Sequence, residues 1–225
     1  MTRFLLAAAT AAALAAAAAA HFVFVVPDQG GKGVTVVFSD TLDPDEAVSI
    51  DKIAGLTLTA RSAGGKEVAV PLAKAAHSLV APLGPAGPRL VYGSVVYGLM
   101  ARKDARPTLL VYHPKAVVGG AVGADATVGG GCPLEVVPVT AGGTTRFRLL
   151  AAGQPVADAD GSVARPDGTK EKVRTDADGY TAGFAGAGRF AVWLRRAEAK
   201  AGEHAGQTYE EVRHYATLVA DLNAK

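Results

Sequence analysis

The sequence is poor in the residues that usually announce a chemistry. It has one cysteine, one tryptophan and two methionines in 225 residues, and aromatic residues make up 6% of it. A single thiol cannot close an intrachain disulfide, so the fold must be held by core burial alone, even in an oxidising compartment. With so few rings, no aromatic face for gripping a substrate can be picked out. Neither sign of charge dominates: 23 Lys and Arg stand against 21 Asp and Glu, a formal net charge of +2. The cations are scattered among the anions without a basic block, which excludes the electrostatic footprint of a nucleic-acid binder. G-x-S-x-G, H-E-x-x-H, P-loop and dinucleotide-binding fingerprints are all missing, so the expectation is a non-enzyme. After the first twenty residues no apolar run is long enough to span a bilayer.

Those twenty residues are the clearest signal present. Arg3 supplies a positive start, Phe4, Leu5, Leu6 and Leu14 lie in an alanine-rich stretch, and Ala18-Ala19-Ala20 closes it. Charged start, short apolar region and small-residue cleavage site together read as a secretory signal peptide over residues 1–20. The alternative is an uncleaved anchor helix, against which stands the weak partitioning of alanine into lipid. The expected product begins at or next to His21 and is periplasmic or secreted. Cys132 lies far beyond the leader and is not a lipoprotein cysteine.

The remaining chain alternates β-prone runs with glycine, proline and aspartate turns. HFVFVV (residues 21–26) and VTVVF (34–38) flank a Pro-Asp-Gln-Gly-Gly turn and predict a hairpin. Further strands are expected over 56–60, 67–70, 78–81, 89–97 and 108–112, then 134–139, 145–150, 156–159, 172–175, 188–194 and 214–222. Turn signals every eight to twelve residues point to antiparallel sandwiches rather than βαβ units. The glycine, alanine and valine stretch 117–131 reads as a linker or a loose edge strand. It divides the chain into an N-terminal domain, 21–116, and a C-terminal one, 132–225. The charged segment Glu198–Glu211 is expected to be a surface excursion, helical in part.

Candidate functional residues are few. Cys132 follows three glycines and reads first as a structural thiol, with metal ligand or nucleophile as the alternative. The two D-A-D-G segments, Asp158–Gly161 and Asp176–Gly179, lack the frame of a calcium loop and read as hairpin turns. Asp40, Asp43, Asp45 and Glu46 form a solvated acidic loop able to lend an oxygen ligand. Histidine is more informative. Cleavage after Ala20 would give His21 both a free α-amine and an imidazole, which together chelate a metal. Cleavage one residue earlier would align the Ala20 amine, the His21 backbone nitrogen and the imidazole for square-planar Ni(II) or Cu(II). An α-amine with a pKa of roughly 7.7–8.0 yields its proton readily to such ions. His77 and His113 are the candidates for a further ligand within the N-terminal half. A surface histidine is the plain alternative for all three. His204 and His214 are expected to be unrelated.

Three segments carry a resemblance: HFVFVVPD after the leader, VYHPKAVVG at Val111–Gly119, and TYEEVRHYATL at Thr208–Leu218. They resemble the periplasmic family called domain of unknown function 4198, related to the soluble component of nickel and cobalt uptake systems. The resemblance implies a metal held by a histidine at the processed amino terminus, matched by His21, and by a second downstream histidine. His77 is the better match for the second by distance along the chain, with His113 behind it. The transmembrane segment of transporter subunits is missing from this sequence. Residues Gly153–Leu194 are similar to a carboxypeptidase-regulatory or bacterial immunoglobulin-like module. The expectation is an all-β protein of two antiparallel immunoglobulin-like β-sandwich domains. Its expected role is capture or delivery of Ni(II) or Co(II), with Cu(II) as a further candidate, alongside a membrane transporter component. The competing expectation is a structural or surface module contacting carbohydrate or protein; a copper oxidase built on His21 is disfavoured by the low aromatic content.

Overall fold

The computed structural model describes residues 21–102 and 105–222; the predicted signal peptide at 1–20 lies outside the described residues. Their regular structure is sixteen β-strands and two short 3₁₀ turns, and no helix among them is long and apolar enough to cross a membrane. The fold is an all-β sandwich in three sheets, its strands numbered along the chain.

One outer sheet comes from the first half and contains, in spatial order, β1 (Phe22–Pro27), β2 (Gly33–Ser39), β6 (Leu79–Pro82) and β5 (Ala73–Lys74). The other comes from the second half, where β10 (Thr144–Ala151) pairs with β9 (Glu135–Ala141), β11 (Gln154–Pro155) and β14 (Phe184–Ala185). Both halves contribute to the third sheet, of eight strands. In spatial order these are β13 (Lys170–Arg174), β12 (Asp160–Ala164), β15 (Gly188–His204), β16 (Gln207–Leu222), β8 (Ala105–Val118), β7 (Arg89–Arg102), β3 (Thr57–Ser62) and β4 (Glu67–Val70).

Strand alternation explains why the large sheet sits in the middle. Side chains of successive strand residues point to opposite faces, and here both faces are apolar. Ala191, Val219 and Ala116 join the core under the first outer sheet, with Phe22, Phe24 and Phe38. Their chain neighbours Val192, Leu218 and Val117 join the core under the second, with Phe147, Leu149 and Leu134. A strand buried on both faces needs a layer on each side, and each half of the chain supplies one.

The halves are therefore not separate bodies on a tether. Strand β8 of the first half runs parallel to β16 of the second, from Thr108 opposite Glu211 to Val117 opposite Ala220. Of the stretch expected to be a linker, Val117 and Val118 are buried at the end of β8, and Ala126 is fully buried in the 3₁₀ turn Gly123–Ala126. The segment is pinned from below by a buried ion pair. The Lys115 ammonium donates to Glu135 and to the Ala126 carbonyl, while the Glu135 carboxylate also accepts from the backbone N–H groups of Val128 and Gly129.

Two local expectations change. Glu198–Glu211 is not an excursion with helical character: it is the end of β15, a tight turn at Ala205–Gly206, and the start of β16. Its charges sit along an extended hairpin that projects past the core, with a register irregularity between Ala199 and Gly202. Asp176–Gly179 is a turn, with Gly179 at φ 80°. Asp158–Gly161 instead leads into β12, where a side chain on Gly161 would sit 2.1 Å from the Trp193 carbonyl oxygen. There glycine permits close approach of strands and makes no turn.

Candidate metal centre at His21

His21 immediately precedes β1, at the edge of the first outer sheet. The chain leaving β2 folds back over it through short side-chain-to-backbone turns: Ser39 Oγ accepts from the Thr41 N–H and Thr41 Oγ1 from that of Asp43. These Asx and hydroxyl turns are what short polar residues do in loops. They bring Asp45 to the imidazole, with Nε2 of His21 2.8 Å from Asp45 Oδ2. The other carboxylate oxygen of Asp45 accepts from the Ala47 N–H at 2.8 Å. The hydrogen bond to His21, followed by that from Ala47, holds the Asp45 carboxyl below its ordinary pKa. Both side chains remain about a quarter exposed, 22% and 28%.

The backbone at this end is anchored from the central sheet. Tyr112 donates its hydroxyl to the His21 carbonyl at 3.2 Å, and the fully buried Thr217 donates to the Val23 carbonyl at 2.6 Å. Phe22 stacks on Trp193 with centroids 4.4 Å apart, and the His21 ring lies 5.7 Å from that of Phe38. A row of rings continues through Tyr215, Tyr112 and Tyr97. Seven of the chain's aromatics are thus gathered in one layer beneath His21, although their spacing in the sequence gave no sign of a common face.

The three predicted histidines do not meet. Tyr112 faces the same core as Phe38, so alternation along β8 turns His113 to the opposite face of the central sheet. His113 is 3% exposed; its Nδ1 lies 3.2 Å from Ser94 Oγ and its Nε2 lies 3.0 Å from Nδ1 of His214. His214 continues to Glu198, Nε2 to Oε2 at 3.3 Å. Burial, then the charge of His214, pushes the His113 pKa down to about 3. His214 moves the same way, chiefly by burial, with Glu198 opposing. With both rings neutral, Ser94, His113, His214 and Glu198 form one directed chain of hydrogen bonds. His214, expected to be unrelated, is the partner His113 finds, because the parallel pairing of β8 with β16 places the two on neighbouring strands. A pairing between residues about a hundred positions apart leaves no local signal. His77 is exposed in the bend between β5 and β6.

No group of three or more His, Cys, Asp and Glu side chains arranged to hold a metal ion occurs among the described residues. A metal at His21 would draw on its imidazole, with Asp45 alongside. Cys132 is buried, its thiol donating to the Leu134 carbonyl, and burial raises its pKa to about 11, which keeps the sulfur protonated near neutral pH. No protein-family model matches this sequence, and no curated protein matches it either.

Proposed function

We propose that this is an exported, non-enzymatic metal-binding protein. In this reading it captures Ni(II) or Co(II), with Cu(II) as a competing ion, through its processed amino terminus and hands it to a membrane transporter component. The observation that carries the reading is the contact between His21 Nε2 and Asp45. A histidine that ligates metal through one ring nitrogen commonly gives the other to a carboxylate, which sets its tautomer and orientation. Here the carboxylate takes Nε2, leaving Nδ1, the nitrogen that can close a chelate ring with the residue's own α-amine. The anchors on the His21 and Val23 carbonyls hold this segment in place before any ion arrives, which lowers the entropic cost of binding. Few side-chain ligands at the site suit an ion that must be passed on, since open positions admit a ligand from the receiver.

The test is calorimetric titration with Ni(II) of four proteins: the chain starting at His21, the same chain extended by Gly-Ser, and the His21→Ala and Asp45→Asn variants. One equivalent should bind to the first. Extension or loss of His21 should abolish that binding, and Asp45→Asn should weaken it about tenfold or more. Equal stoichiometry and affinity in all four would refute the amino-terminal site. Copper affinity alone decides little, because the Irving–Williams order favours Cu(II) at almost any nitrogen site.

A further inference from the structure

The first outer sheet leaves part of the central sheet uncovered. Beyond its edge strand β1, the face of β15, β12 and β13 runs on, and a groove of about 650 Å³ opens there. Phe22, Phe24 and Leu42 form one wall, and Trp193 lies against Phe22 at its inner end. The floor is recessed because its residues are small: Ser162, Ala164 and Ala191. The volume falls within the usual range for small-molecule sites, roughly 300–1,000 Å³.

The rim has a different chemistry. Arg165, Lys170, Lys172 and Arg189 line it, with Asp40 as the acidic residue among the lining side chains. Arg189 is engaged by Asp221 and Arg165 by Glu171. Lys170 donates to the Asp40 backbone carbonyl at 2.8 Å and so reaches across the mouth. Lys172 is exposed and has no carboxylate partner among the described residues. An apolar interior under a cationic mouth fits a molecule with an apolar body and one negative end. An added peptide strand fits less well, because the His21 and Val23 carbonyls of the β1 edge already accept from Tyr112 and Thr217.

We infer that the groove between β1 and the β15–β12–β13 face binds a small amphipathic carboxylate, its apolar body against Phe22, Phe24 and Trp193 and its carboxylate at Lys172 and Lys170. The inference is independent of the metal reading and needs no free amino terminus. Trp193, the chain's sole tryptophan, reports directly on occupancy. Titration of the full chain with decanoate below its micellar concentration should give a saturable change in tryptophan emission. Decanol, with the same body and no charge, should bind more weakly. Lys172→Glu, a surface change that spares the core, should weaken decanoate about three- to tenfold and leave decanol unaffected. Ala164→Leu, which fills the floor, should weaken both. An unsaturable response, equal binding of decanoate and decanol, or indifference to Lys172→Glu would overturn the assignment. So would self-association that Ala164→Leu abolishes without any decanoate uptake, which would give the groove to a second copy of the chain.

Discussion

Acid should weaken this protein well before its carboxylates are protonated, because His113 is folded away as a neutral ring. It is 3% exposed, and burial together with His214 lowers its pKa from 6.5 to about 3. The groups facing the pair are Ser94, which can hydrogen-bond, Glu198, which favours protonation of His214, and Arg196 and Lys200, which oppose it. In the unfolded chain the same imidazole titrates near 6.5. Between those two values the unfolded state takes up a proton that the native state refuses, so stability falls as pH falls. The limiting slope is about 1.4 kcal/mol per pH unit for one proton. Integrated between about pH 7 and pH 4.5, this gives about 2.5 kcal/mol for His113 alone. His214 shifts in the same direction and adds to the loss. The assay is urea unfolding followed by Trp193 emission at a series of pH values, for the native sequence and for His113→Gln. Comparing slopes rather than absolute stabilities removes any fixed cost of the substitution. The native protein should lose about 2.5 kcal/mol more than the variant across that interval. Parallel stability curves would refute the reasoning.

Two further outcomes follow from buried groups. Glu135→Ala should cost about 3–5 kcal/mol, since it strands the Lys115 ammonium in the interior; only the Ala126 carbonyl would remain of that ammonium's two partners. The double variant Lys115→Met/Glu135→Leu should recover in the urea midpoint the part of that loss due to the ammonium, leaving the part from the Val128 and Gly129 N–H groups that lose their acceptor, and a cost below about 1 kcal/mol for Glu135→Ala would contradict the account. Cys132, buried and with its pKa raised to about 11, should react with a thiol reagent only as fast as the protein opens. Rapid labelling of the native protein at mildly alkaline pH would show instead that the glycine-rich segment before it opens locally.

Much of the β structure was legible because its signals are local. The hairpin HFVFVV–VTVVF appears as β1 and β2, and TLLVY, GRFAVWL and the 214–222 run lie within β8, β15 and β16. Asp45 was legible as an acidic loop residue able to lend an oxygen, though nothing local marked it as the one that meets His21. The strand expected at 156–159 lies instead at Asp160–Ala164. Asp158, at φ 57°, stands in the left-handed region just before it, and an Asp-Gly pair reads as a turn unless one knows that another strand's backbone passes alongside.

By itself the sequence determined the all-β class, the lack of any intrachain disulfide and the place of a histidine at the head of the first β-prone run, each a matter of composition or of residues near one another. Only the tertiary structure decided that the two halves share one sheet, that His113 belongs with His214, that His21 belongs with Asp45, and that a recessed floor of small residues lies under a cationic rim. The first, second and fourth depend on strands pairing or stacking across long stretches of chain, and the third on the loop after β2 returning over His21. Strand pairing is set by which apolar faces can be buried together, a property of the whole set of strands that no single window of sequence contains.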